Sequence, residues 1–368
     1  MSNQISRYLE EKIRSYDQFL QFHEEREPAA EISEVPFLYF FDIPKQLSEI
    51  QFNVFLIDPD LYKEDHGTFQ FMINNLEKSY GVNSIEQAKY VVFPFNIYCF
   101  NHARKAVFME VLKDLRVLAG DKPVIMFSIG DFCLRTSVRS TSFEKQIFKD
   151  IDLSFFPDWI TPTDILIHFE STKDFVETDI AVFPLIQIDP IKTHTQTRNI
   201  LYSFVGTYYK KGWPDGFVRG ASSKLIWDRL KAMSHSVIML PDELLCDDGN
   251  NPFFEISKKS KFTLCPRGIC CWTFRLFEAI LCGSIPVILS DSYLKPFPDI
   301  IPWDSFSITL PESELGNVDN YLTGINDKTL LELSENLNAN QHWFTSAGLL
   351  RLLRSKLIEK AKTDRSLA

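Results

Sequence analysis

The feature that most constrains this chain is residues 260–291, where two apolar runs flank an amphipathic segment. The sequence there reads SKFTLCPRGICCWTFRLFEAILCGSIPVILSD. Residues 261–265 and 285–289 have the length and apolarity of buried strands, and residues 274–282 have the pattern of a helix. Two apolar strands joined through a helix predict a parallel βαβ unit with a right-handed crossover.

The ends of this unit carry signals for turns and caps. Pro266 and Gly268 break the first strand, Thr273 can cap the helix, and Gly283 stands where a helix would stop. In parallel sheets, ligands bind at the carboxyl ends of the strands. The loop over residues 266–272 is therefore the predicted ligand-binding edge.

Arg275 and Glu278 give this edge its chemistry. Backbone amides at a helix start attract phosphate, and the helix dipole strengthens that attraction. Arg275 lies in the first turn, where its guanidinium can fork onto phosphate oxygens. Glu278 shares its face of the helix and can accept hydrogen bonds from the hydroxyls of a ribose. The alternative is an ordinary surface ion pair, and the spacing alone leaves both interpretations open.

The same segment resembles the signature of the exostosin family, the family 47 glycosyltransferases. That signature has a Ser-Lys-Phe-Cys-Leu-Cys-Pro-Arg-Gly-like run, followed by Ser-x-Arg, Glu-Ala, Gly-Cys-Ile-Pro-Val and Ser-Asp. Thr273 and Ser284 stand here in place of the usual Ser and Cys. Weaker similarities extend the resemblance over roughly residues 85–310, at the segments 88–95, 179–184 and 198–206.

The resemblance implies an α/β protein of GT-B architecture, in which two Rossmann-like domains face a cleft. The amino-terminal domain, residues 1–195 with a first helix over 3–25, would bind the acceptor. The carboxy-terminal domain, residues 196–345, would hold a nucleotide-sugar. A terminal helix, residues 346–368, would cross back to the first domain.

The resemblance also implies an inverting glycosyl transfer from a nucleotide-sugar, with UDP as the usual carrier, to a glycan or lipid-linked glycan. We expect no metal and no other cofactor, and a role in bacterial surface polysaccharide or lipopolysaccharide synthesis. The residues expected to bind the donor are Arg267, Gly268, Thr273, Arg275, Glu278 and Asp291. Asp291 has a capping role as its alternative. The alternative for the whole chain is a glycan- or nucleotide-binding protein on the same fold that lacks catalysis.

An inverting transfer needs a base to take the proton of the acceptor hydroxyl. We expect this base in a loop at the top of the amino-terminal sheet. Asp131, after the strand at 123–128, is the first candidate, and His102, after the strand at 90–95, is the second. A surface turn or an ordinary paired side chain is the alternative for each of them. Asp58 and Asp60 match an Asp-x-Asp metal motif, but their position beside a proline predicts a turn.

Composition sets limits on the class of protein. A chain of 368 residues with 45% hydrophobic residues can fill two α/β cores. Its net charge of −10 disfavours a general nucleic-acid role. The seven cysteines have no zinc-like spacing and indicate reduced thiols. Because no apolar run approaches membrane length, we expect a cytoplasmic protein.

The basic amphipathic segment at residues 348–362, GLLRLLRSKLIEKAK, has two interpretations. It can contact an anionic membrane surface from the cytoplasmic side. It can also pack across both domains as a closing helix. The helix at 3–25 favours packing or a dimer contact over lipid binding, and the sequence does not fix an oligomeric state.

Overall fold

The computed structural model describes ten stretches of the chain, residues 2–26, 37–49, 59–97, 105–130, 160–169, 179–192, 198–207, 224–240, 252–268 and 271–363. His102, Asp131 and Asp58 lie outside these residues. The described residues form two five-stranded sheets in which all the strand pairs are parallel. This confirms the predicted α/β class.

The strands of the first sheet follow one another in chain order, β1-β2-β3-β4-β5. The strands are β1 (Leu38–Phe40), β2 (Tyr90–Asn96), β3 (Val124–Ser128), β4 (Ile165–His168) and β5 (Ile180–Ala181). The helices described in this half include α1 (Ser2–Glu24), α2 (Pro59–Tyr80) and α3 (Lys105–Ala119). Strands β3 and β4 are buried along their whole length, as expected when helices cover both faces of a parallel sheet.

The second sheet has the order β10-β9-β8-β6-β7, so its strand order reverses between β8 and β6. Its strands are β6 (Ile200–Val205), β7 (Ser236–Met239), β8 (Ser260–Pro266), β9 (Ile285–Leu289) and β10 (Ile308–Leu310). The remaining helices are α4 (Lys224–Lys231), α5 (Pro252–Lys259), α6 (Phe274–Leu281), α7 (Val318–Thr323), α8 (Asp327–Asn340) and α9 (Ser346–Thr363).

The predicted βαβ unit is formed by β8, α6 and β9. Strands β8 and β9 pair in parallel from Phe262 opposite Ile285 to Pro266 opposite Leu289. Helix α6 ends at its C-cap Cys282, and Gly283 follows with a φ of 69°. Glycine adopts this left-handed conformation without steric cost, which explains why the helix stops there.

A continuous apolar core joins the two sheets. Phe183, just after β5, stacks on Phe277 of α6 with 5.5 Å between ring centroids, and it lies 5.3 Å from the ring of Phe344. The two parallel sheets and the helix that returns to the first of them have the GT-B arrangement expected from the sequence. The predicted boundary near residue 195 lies between the strands of the two sheets and stays a prediction.

The terminal helix α9 closes this core. Its leucines are buried, namely Leu349, Leu350, Leu352, Leu353 and Leu357. The guanidinium of Arg354 lies 5.5 Å from the ring centroid of Tyr80 at the end of α2, so the helix crosses back to the first half of the molecule. Because its apolar face is used inside the protein, the structure supports the closing-helix interpretation over membrane contact. In the residues described, no helix is both long and apolar enough to span a bilayer.

Helix α1 packs against α2. Phe19 is fully buried, and a Cβ atom on Gly67 of α2 would lie only 2.4 Å from its ring. Arg26, just after α1, donates two hydrogen bonds to the carboxylate of Asp189, at 2.7 and 3.1 Å. The amino-terminal helix therefore serves intramolecular packing, one of the two roles expected from its sequence.

Candidate functional site

The carboxyl edge of the second sheet contains a topological switch point. Strand β6 pairs with β7 on one side and with β8 on the other. In an open α/β sheet, the segments that follow the two strands at such a point diverge, and ligands bind in the crevice between them. Gly206 and Thr207 follow β6, whereas Arg267 and Gly268 follow β8.

Thr273 acts as the N-cap of α6. Its backbone is extended, with a φ of −154°, and its hydroxyl accepts a hydrogen bond of 3.4 Å from the amide of Arg275. The amide of Leu276 donates to the Thr273 carbonyl at 3.2 Å. The Thr273 side chain is therefore engaged in holding the helix start.

Arg275 and Glu278 form an ion pair, with Nη1 of the arginine donating to Oε2 of the glutamate. The guanidinium carbon also lies 4.1 Å from the ring centroid of Phe253 in α5. Glu278 is only 9% exposed, so this is a partly buried pair rather than a solvated one. Within the described residues, the side chain of Arg275 makes one hydrogen bond, the one to Glu278. Its guanidinium therefore keeps most of its N–H donors for a ligand.

The pair lies close to the end of β8. Burial raises the pKa of the Cys265 thiol, and the charges of Arg275 and Glu278 act on that thiol in opposite directions. Cys265 is the next-to-last residue of the strand. The cationic side chain is therefore fixed at the carboxyl edge, where the sequence predicts the ligand.

Arg267 and Asp291 belong to a second charged group. Nε of Arg267 lies 2.8 Å from Oε1 of Glu312, and the amide of Glu312 donates to Oδ1 of Asp291 at 3.0 Å. These residues follow β8, β9 and β10, so the group links three adjacent strand ends. Asp291 thereby makes the capping contact given above as its alternative, and its role in donor binding stays a prediction. The sequence does not predict Glu312 as part of this group, because it lies in a separate turn that no motif connects to the signature.

Gly268 shapes the loop between β8 and α6. Its amide donates to the Trp272 carbonyl at 2.8 Å, which joins the second residue after β8 to the residue before the N-cap of α6. The buried Trp272 ring meets Phe169 edge to face, with 5.2 Å between centroids. Because Phe169 directly follows β4, the loop brings the carboxyl edges of the two sheets together.

In the described residues, the first sheet presents buried polar groups at its own carboxyl edge. The side chain of Asn96 donates to the Ile129 carbonyl at 2.8 Å and accepts from the Ile129 amide at 2.9 Å. This fixes the backbone just before Gly130. His168 and Asp179, both buried, lie 4.0 Å apart through Nε2 and Oδ2. The structure does not describe the two base candidates, His102 and Asp131, which stay predictions.

Arg198 supports the site by bonding to the ends of the two helices that carry it. Its Nη1 donates to the carbonyls of Ser257 and Ser260 at 2.8 and 2.7 Å, and its Nη2 donates to that of Cys282 at 2.9 Å. Burial lowers the pKa of this guanidinium to about 10. Arg198 therefore ties the end of α5 to the end of α6, the two helices that carry Phe253 and Arg275.

The described stretches hold no group of three or more His, Cys, Asp or Glu residues that could bind a metal ion. Cys265 and Cys282 are buried free thiols.

Comparison with known proteins identifies the second half of the chain. Residues 167–325 match the family model described as the Exostosin GT47 domain. A protein of Oryza sativa subsp. japonica named "Probable glucuronosyltransferase" is 32% identical over 181 residues, which is 44% of this chain and 39% of that protein. The "Probable beta-1,4-xylosyltransferase IRX10" of Arabidopsis thaliana is 31% identical over 148 residues, 36% of this chain and 31% of its own length.

The matched region therefore spans well under half of these curated relatives. Among solved structures, Anabaena Alr3699/HepE in complex with UDP is 10% identical with a TM-score of 0.42, over 88% of this chain and 99% of that chain. The GtfA/B complex is 8% identical with a TM-score of 0.43, over 80% of this chain and 60% of that chain. The family resemblance predicted from the sequence is confirmed by the family model, and the matched residues 167–325 include strands β6 and β8 at the switch point of the second sheet.

Proposed function

We propose that this protein is a glycosyltransferase that binds a nucleoside diphosphate sugar at the carboxyl edge of its second sheet. The observation that carries the proposal is the partly buried Arg275–Glu278 pair beside the switch point between β6 and β8. This is the place in an open α/β sheet where nucleotides bind. The match to the exostosin GT47 domain supports the same chemistry.

Each group at this edge has a defined part in the proposed reaction. The free N–H donors of Arg275 and the positive end of α6 stabilise the diphosphate as it leaves. This stabilisation requires no metal ion. Glu278 accepts hydrogen bonds from the ribose hydroxyls through Oε1, the carboxylate oxygen that does not bond Arg275. We propose UDP as the nucleotide, as the family resemblance implies.

We propose that the acceptor binds at the first sheet. Its carboxyl edge meets the donor edge through Phe169 and Trp272, so an acceptor bound there would lie next to the donor sugar. We propose an inverting displacement with Asp131 as the base, and His102 as the second candidate. The glucuronosyltransferase and xylosyltransferase names of the relatives favour a glycan acceptor. Those relatives come from plants, and they give no support to the bacterial setting expected from the sequence.

Calorimetric titration with UDP tests the donor site. Arg275→Ala should weaken UDP binding about ten- to hundredfold, because it removes charge-assisted hydrogen bonds to the diphosphate. Lys258→Ala is the matched control. Lys258 also forms an i,i+3 ion pair, with Glu255 at 2.7 Å, but it lies in the last turn of α5 at the opposite edge of the sheet. Equal affinities for the two variants would refute the assignment of Arg275.

The same titration separates the two parts of the nucleotide. Glu278→Gln should weaken UDP binding and leave the affinity for inorganic diphosphate almost unchanged, because only UDP offers a ribose. Equal losses for both ligands would show that Glu278 acts through Arg275 alone. Release of UDP from a UDP-sugar with the unaltered protein, and its loss in Asp131→Asn, would distinguish a transferase from a protein that only binds nucleotides.

A further inference from the structure

We infer that Phe253 is a positioning residue of the donor site, which holds the guanidinium of Arg275 in the orientation that receives the diphosphate. The inference rests on the proposed function and adds a residue from outside the signature segment to its site. Phe253 lies in α5, one helix before the strand that leads into the signature.

The geometry brings the ring to the carboxyl edge of the sheet. Helix α5 runs directly into β8 and packs beside it, so its first turn lies near the carboxyl end of that strand. Helix α6 begins at this same edge. The ring of Phe253 and the side chain of Arg275 meet there, with 4.1 Å between the guanidinium carbon and the ring centroid. This distance is well within the range of a cation–π contact.

Burial makes this contact effective. Phe253 is only 2% exposed, and the side chain of Arg275 is 26% exposed. A cation held against a ring with little water nearby is attracted more strongly than one at an open surface. The contact also consumes no N–H donor. Arg275 can therefore be held by Phe253 and Glu278 while its other donors point to a ligand.

The two helices that carry Phe253 and Arg275 are held together by Arg198. Arg198 bonds the carbonyl of Ser257 near the end of α5 and that of Cys282 at the end of α6. These bonds fix the two helices relative to each other. An arginine that is already oriented loses less side-chain freedom on binding than a mobile one, so pre-organisation raises its affinity for a diphosphate.

A graded change of the ring tests this inference. Replacing Phe253 with monofluoro- and trifluorophenylalanine weakens the negative ring face while the shape hardly changes. We expect the Kd for UDP to rise stepwise with the number of fluorine atoms. Phe253→Leu, which keeps an apolar side chain but removes the ring, should raise it about five- to thirtyfold. The same fluorinated residues at Phe254, the next position of α5, are the matched control and should leave the Kd unchanged.

The outcomes separate the inference from the proposed function. An unchanged Kd through the whole fluorinated series at position 253, together with weaker binding in Arg275→Ala, would overturn the role of Phe253 and leave the donor site standing. Absence of UDP binding by the unaltered protein would refute both. If Phe253→Leu fails to fold, the fluorinated series decides, because it leaves packing and melting temperature nearly constant.

Discussion

The carboxyl edges of the two parallel sheets are built on different strand orders. In the first sheet the described strands follow one another from β1 to β5, whereas in the second the order reverses between β6 and β8. In the described residues, the first edge carries buried polar contacts, namely the two hydrogen bonds between Asn96 and Ile129 and the approach of His168 to Asp179. The second carries charged pairs, including Arg275 with Glu278 and Arg267 with Glu312.

The difference shows how binding capacity follows topology. Where the strand order reverses, the loops that follow two neighbouring strands lead in opposite directions, and a ligand can bind between them. The described strands of the first sheet show no such reversal, and the side-chain amide of Asn96 there is satisfied by the backbone of Ile129. We therefore assign the charged nucleotide to the second edge, and the less charged acceptor to the first.

The largest expected effect concerns Arg198, which holds the helices of the charged edge. Arg198→Met leaves three buried carbonyl groups without this donor, and we expect the free energy of unfolding to fall by about 3 kcal/mol or more. Urea denaturation measures this change. Arg26→Met is the control in the first half, where the side chains of Arg26 and its partner Asp189 are 38% and 66% exposed and removal should change stability little. Equal losses of unfolding free energy in the two variants would show that the helices of the second edge do not depend on the buried Arg198.

The second prediction concerns His66, a neutral buried group in the first half. Burial lowers the pKa of His66 from 6.5 to about 4, and its ring stacks on Tyr16 of α1. Below pH 6.5 the unfolded chain binds a proton at this residue, whereas the folded protein does not until pH approaches 4. Folding stability due to this group is therefore complete above pH 6.5 and is lost as pH falls.

This loss should amount to roughly 2 kcal/mol between pH 7.5 and pH 5. Urea denaturation at the two pH values measures it, and His66→Gln should reduce the pH dependence by that amount. His342→Gln changes an exposed histidine and is the control. An identical pH dependence in the His66→Gln variant and the unaltered protein would contradict the prediction.

The sequence predicts the second edge well because its signals are local. Strand β9 has the predicted bounds, and β8 extends the predicted run by one residue at each end. The i,i+3 spacing likewise predicts that Arg275 and Glu278 meet on one helix face. Phe253 and Glu312 could not be predicted, because they reach the site only through the strand order. Arg198 lies 59, 62 and 84 residues from its three partners, so its role as a clamp depends on the folded sheet.

The smallest expected effect concerns the contact between the two edges. Phe169→Leu removes an edge-to-face contact with Trp272 and should lower the free energy of unfolding by about 1 kcal/mol. The loop that binds the donor should keep its shape, because the hydrogen bond from Gly268 to the Trp272 carbonyl does not involve Phe169. Calorimetry should therefore find UDP affinity unchanged within about twofold. A large loss of UDP affinity would show instead that the first sheet helps to form the nucleotide site, and that the division between a donor edge and an acceptor edge is wrong.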